Sequence, residues 1–124
     1  MTLYIDEKRL ADIGDCDAII DVRSPREFHD DHITGSVNLP VLKNSEHEKV
    51  GTIYKKISPF EAKKVGASLV SLNISSHLET FFHDKKKSFK PLFYCARGGQ
   101  RSNSFATICA SIGWKCSILH GGYK

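Results

Sequence analysis

Cys95 stands at the centre of the segment Tyr94-Cys95-Ala96-Arg97-Gly98-Gly99-Gln100-Arg101-Ser102, a stretch whose residue types suit nucleophilic chemistry at sulfur. Lys90-Pro91-Leu92-Phe93-Tyr94 reads as a buried strand. Asn103 to Ile112 carries apolar side chains at Phe105, Ile108, Cys109 and Ile112, the spacing of one helix face. A thiol between such a strand and such a helix meets backbone N–H groups of the loop and the positive end of the helix dipole, and both favour a thiolate or an anion attached to it. Ala96, Arg97, Gly98, Gly99, Gln100 and Arg101 form the expected anion-binding loop around Cys95. Gly98 and Gly99 supply the conformational freedom of a tight cradle, while Arg97 and Arg101 add two cations. The spacing also fits Cys-x5-Arg, the pattern of cysteine-dependent phosphatases. The loop alone therefore leaves two chemistries open.

The elements around this loop predict an α/β fold with a mostly parallel sheet. Leu3-Tyr4-Ile5, Ala18 to Val22, Ser36 to Leu39, Pro91 to Tyr94 and Cys116 to Leu119 are short apolar runs separated by helical segments, as in a sheet of about five strands with helices on both faces. Ser24-Pro25-Arg26-Glu27 and Ser58-Pro59-Phe60-Glu61 both place a capping hydroxyl, a proline and a glutamate at the positions that open a helix. The second opens a long stretch in which Phe60, Ala62, Val65, Leu69, Leu72, Leu78, Phe81 and Phe82 line an expected core face, with a break near Asn73. Gly113 sits where the last helix needs a cap.

The chain has 124 residues, 40% of them apolar, which suits one compact domain over residues 1–124. No apolar run is long enough to span a bilayer, and an acidic residue at position 6 argues against a signal peptide. Cys16, Cys95, Cys109 and Cys116 lack disulfide-framework or zinc spacing, so a reducing cytoplasm is the expected location, with Cys109 and Cys116 as core residues. The six histidines show no metal spacing; His29 and His32 are expected to cap or hydrogen-bond at a helix end. A net charge of +4, with Lys43, Lys49, Lys55, Lys56, Lys63, Lys64, Lys85, Lys86, Lys87 and Lys90 in the middle of the chain, is compatible with an RNA partner. Lys85-Lys86-Lys87 reads first as a solvated segment.

Two motifs resemble the opening of the rhodanese family: Asp21-Val22-Arg23-Ser24-Pro25-Arg26-Glu27-Phe28, and His32-Ile33-Thr34-Gly35-Ser36-Val37-Asn38-Leu39-Pro40. Asp31 and Ser36 replace the glycine and alanine of that pattern. Val50-Gly51-Thr52-Ile53-Tyr54-Lys55-Lys56, Ala62 to Ala67, Cys95 to Ser102 and Gly121-Gly122-Tyr123-Lys124 are similar to the rhodanese domain of the tRNA 2-selenouridine synthases. The resemblance implies a rhodanese-like fold and a Cys95 that carries sulfur or selenium as a persulfide-type anion. It further implies conversion of 2-thiouridine to 2-selenouridine at the tRNA wobble position through an S-geranylated intermediate. Selenophosphate and geranyl diphosphate would be substrates, with no resident cofactor or metal. In that family a P-loop domain follows, and no G-x-x-x-x-G-K-[ST] occurs in this sequence.

Two rivals stand beside this reading. A phosphatase would use Arg101 to clamp phosphate but needs an acid for the leaving group, and the loop offers none. A non-catalytic partner-binding module would have no use for an intact thiol in an anion-binding loop. Both arginines are expected to act on the anion, with the alternative that Arg101 pairs with a buried acid such as Asp21.

Overall fold

A computed structural model describes residues 3–97 and 100–123 of the chain. Five strands, β1 (Ile5–Lys8), β2 (Ala18–Asp21), β3 (Val37–Asn38), β4 (Pro91–Tyr94) and β5 (Cys116–Leu119), form one sheet in the order β1-β5-β4-β2-β3, parallel at every pairing. Ile20 lies opposite Phe93 on one side and Val37 on the other, and Phe93 lies opposite Ile118. Parallel neighbours require crossovers. These are a short 3-10 helix (Leu10–Asp15) and four helices, α1 (Pro25–Asp30), α2 (Asn44–Lys56), α3 (Pro59–Glu79) and α4 (Arg101–Ile112).

Alternation along the strands sorts side chains into two cores. Ile20, Val22, Phe93, Cys95 and Cys116 face Ile74, Phe82, Phe105, Cys109 and Trp114 on the side covered by α3 and α4. Rings carry much of this contact, with Phe93 and Phe105 4.8 Å apart and Phe82 and Trp114 5.0 Å apart. Leu92, Tyr94 and Leu119 face the other way, beneath a thinner layer made by Ile13, Cys16, Ile33 and Tyr123. Cys109 and Cys116 are fully buried, as expected of core residues.

Three expectations need correction. β1 begins at Ile5 and runs through charged Lys8 instead of covering Leu3 to Ile5. It is an edge strand half open to water, so pairing with β5 places it where apolar content does not. α3 continues without a break through Asn73, whose buried side chain donates to the Val41 carbonyl at 2.8 Å and to Glu46 Oε1 at 2.9 Å. Those tertiary partners replace the local backbone bonds through which asparagine disfavours helix. Phe60 and Leu72 point to solvent at 72% and 68% exposure, so α3 buries a narrower face, through Ala62, Gly66, Asn73 and Ile74.

Candidate active site

Cys95 is the first residue beyond β4, the middle strand, and so lies at the carboxyl edge of the sheet where parallel α/β folds bind their ligands. It is buried, at 2% exposure. Its Sγ lies 3.3 Å from Ser102 Oγ and 3.6 Å from the Ala96 carbonyl oxygen. The first contact sets the opening turn of α4 against the sulfur, where helical N–H groups lack intrahelical partners and the dipole favours negative charge. Gly98 and Gly99, expected to shape the cradle, lie outside the described residues.

The loop rests on the end of the chain. Tyr123 N–H donates to the Cys95 carbonyl at 2.9 Å. Gly122 has φ +72°, and a β-carbon there would stand 2.8 Å from the Ala96 carbonyl oxygen and 3.1 Å from Arg97 Cα. Only glycine fits this crossing. Tyr123 also packs edge-on against Tyr94, at 5.6 Å, and lies under the Arg23 guanidinium at 5.4 Å.

The two loop arginines have different surroundings. Arg97 is exposed. Arg101 is held by Glu27 in a forked pair, with Nη1 2.9 Å from Oε1 and Nη2 3.2 Å from Oε2. Asp21 is not its partner, because Arg23, two residues along the chain, already occupies that carboxylate through Nη2 at 2.8 Å and Nε at 3.1 Å. Gln100 is exposed at the start of α4 and makes no side-chain cap bond, and Ala96 is half-buried.

Glu27 is also the third residue of α1 and closes its capping box, its Oε1 accepting from Ser24 N–H at 3.0 Å and from Ser24 Oγ at 2.9 Å. Burial alone would push this carboxyl up, but the Arg101 guanidinium and the Ser24 donors hold it down to about 2. In the sequence Glu27 reads as part of a helix cap, and Ser102 and Gly122 carry no distinct signal of their own. The pattern Ser-Pro-x-Glu announced the cap, but a partner 74 positions away left no local signal. Ser102 had one available clue, its place on the first helical turn after the loop.

The remaining cysteines lie away from this loop, Cys16 against the opposite face of the sheet and Cys109 and Cys116 within the core. All four are free thiols. Burial, with Asp15 beside it, pushes the Cys16 thiol up; a hydrogen bond shared with Cys116, together with burial, pushes Cys109 up. His32 Nδ1 donates to the Phe28 carbonyl at 2.7 Å and its ring stacks on Phe28, the hydrogen-bonding role expected at that helix end. Among the described residues no cluster of three or more His, Cys, Asp or Glu side chains could hold a metal ion, and no helix is long and apolar enough to cross a membrane. Glu27, held at about 2 by Arg101 and Ser24, does not suit the role of a phosphatase acid.

Residues 6–124 match the rhodanese-like domain model. The tRNA 2-selenouridine synthase of Proteus mirabilis is 37% identical over 107 residues, covering 86% of this chain and 30% of that protein. The synthase of Bdellovibrio bacteriovorus is 38% identical over 111 residues, covering 86% of this chain and 28% of that protein. The chain thus spans less than a third of the length of these curated relatives. Among solved structures, the N-terminal domain of a proposed ATP/GTP binding protein from Clostridium difficile 630 superposes with a TM-score of 0.77 at 34% identity, covering 95% of this chain and 93% of that one. A rhodanese-related protein from Thermoplasma volcanium shares the fold at a TM-score of 0.55 and 18% identity, covering 94% and 85% of the two chains.

Proposed function

The chain belongs to the rhodanese-like domain family, and from that premise we propose that it moves sulfur or selenium through a covalent adduct on Cys95. The observation that carries this reading is the position of the Cys95 sulfur, at the carboxyl edge of the sheet and against the first turn of α4. With a sulfane donor, the Cys95 thiolate attacks the outer sulfur and forms a new S–S bond. The donor's own S–S bond breaks, and its electron pair leaves with the inner fragment, sulfite in the case of thiosulfate. The persulfide carries one negative charge on its outer sulfur, which the positive end of α4 favours. An acceptor nucleophile then takes that sulfur, and the thiolate returns.

Likeness to the synthases extends this to selenium in tRNA. On that reading the domain takes part in the conversion of 2-thiouridine to 2-selenouridine in the cytoplasm, with selenophosphate supplying selenide-level selenium to the tRNA. A P-loop domain elsewhere in the full-length protein would serve the geranyl diphosphate step, and the lysines of the chain would meet tRNA phosphates. The test compares two assays on this chain. Transfer of sulfur from thiosulfate to cyanide should occur and vanish in Cys95→Ser, while aryl phosphates stay intact. Cys95-dependent phosphatase turnover without sulfur transfer would overturn the proposal.

A further inference from the structure

Among the described residues two polar groups touch the Cys95 sulfur, and they differ in what they can do. The Ala96 carbonyl oxygen only accepts, so at 3.6 Å it supports the thiol S–H and offers nothing to a thiolate. Ser102 Oγ, at 3.3 Å, can turn its proton toward the sulfur. Ser102 is 3% exposed and fixed on the second residue of α4, so little water competes for that proton. Neither arginine duplicates the contact, since Arg101 is engaged by Glu27 and Arg97 is exposed.

We propose that Ser102 is a catalytic residue, a hydrogen-bond donor that stabilises the thiolate on Cys95 more than it stabilises the persulfide. The proposal rests on Cys95 being the sulfur carrier. When Cys95 ionises, the S–H electron pair stays on Sγ, the proton passes to solvent, and the Ser102 hydroxyl turns to donate to Sγ. When the thiolate attacks a donor, the Sγ–S bond forms and the negative charge moves one atom outward, away from Ser102. Discharge reverses this: the acceptor's electron pair attacks the outer sulfur, the Sγ–S bond breaks, and its pair returns to Sγ, where Ser102 again donates. A serine that favours thiolate makes Cys95 a better leaving group, so its kinetic effect extends to discharge.

The described titratable and charged groups around this end of the sheet include Asp21 at the end of β2, Arg23 just beyond it, Glu27 of α1, Asp31 after α1, His47 of α2 beside Glu27, Arg97 in the loop, Arg101 of α4 and Tyr123 behind the loop. Asp21 with Arg23 and Glu27 with Arg101 form closed pairs that the serine variants leave in place. The experiment uses Ser102→Ala and Ser102→Thr in this chain, with two readouts and a melting curve for each. Iodoacetamide alkylation of Cys95 as a function of pH reports thiolate formation. Single-turnover discharge of the preloaded persulfide to cyanide reports leaving-group quality. A hydrogen bond to an anion predicts that Ser102→Ala slows both by about tenfold at neutral pH and moves the alkylation profile to higher pH. Ser102→Thr, which keeps the hydroxyl, should restore both rates.

An alanine variant whose alkylation profile and discharge rate match the parent would overturn the proposal. So would a threonine variant that fails as badly as alanine while melting normally, since a hydroxyl would then not be what the site needs. Alkylation requires no sulfur donor. If the chain never loads sulfur, the carrier reading fails while the effect of Ser102 on the thiolate remains measurable.

Discussion

Glu27 receives Arg101, closes the capping box of α1, and has His47 Nδ1 3.8 Å from its Oε1. Its carboxyl falls from an ordinary 4.5 to about 2 in the fold, so the folded state binds this proton less readily than the unfolded chain does. The stabilisation is complete above about pH 4.5 and drains away as pH falls toward 2. Glu27→Gln should therefore cost about 2 kcal/mol at neutral pH, between the values for exposed and buried pairs, and the difference from the parent should shrink as pH drops below 4.5. Urea midpoints at neutral and acid pH would check it; a constant gap across that range would show that the charge contributes nothing. The arginines should separate in the same measurement. Arg101→Gln breaks the pair and lowers the midpoint, whereas Arg97→Gln leaves the midpoint in place and slows Cys95 alkylation.

The reactive loop is an element with two supports, α4 ahead of it and the turn at the end of the chain beside it. Gly121 and Gly122 both have positive φ, +75° and +72°, but only at Gly122 would a β-carbon strike backbone, at Ala96. Gly121→Ala should cost about 1 kcal/mol for the left-handed conformation alone. Gly122→Ala must also displace the Ala96 carbonyl, so a larger loss in melting temperature should accompany slower sulfur loading. Equal effects at the two positions would show that the loop does not depend on this crossing. Such support was invisible in the sequence, where the two glycines read only as the end of a motif. What was legible were features with a local cause: the proline and serine that open α1 and α3, the apolar runs of β2, β4 and β5, and the strand-loop-helix order around Cys95. Asn73 and the edge strand β1 escaped because distant partners decide them, Val41 and Glu46 for the one and β5 for the other.

At the scale of the whole molecule, burial and position separate one thiol from three. Cys109 and Cys116 are at 0% exposure, facing each other's elements inside the aromatic core of α3 and α4, where no donor anion can reach without opening the fold. Cys16 lies half-buried against the opposite face of the sheet, beside Asp15, whose negative charge works against a thiolate. Cys95 is also buried, but at the carboxyl edge of the sheet, one residue beyond β4 and against the first turn of α4. Local opening at this edge is expected to suffice for Cys95, whereas Cys109 and Cys116 lie within the packed core and are expected to open only with it. Incubation with thiosulfate under native conditions should therefore add a single sulfur to the intact mass. That increment should disappear in Cys95→Ser and persist in Cys16→Ser, Cys109→Ser and Cys116→Ser. Peptide mapping that placed the sulfur on Cys16 would move the chemistry to the far face of the sheet and refute the assignment. Addition at Cys109 or Cys116 only after urea treatment would instead agree with it, since their protection comes from the core itself.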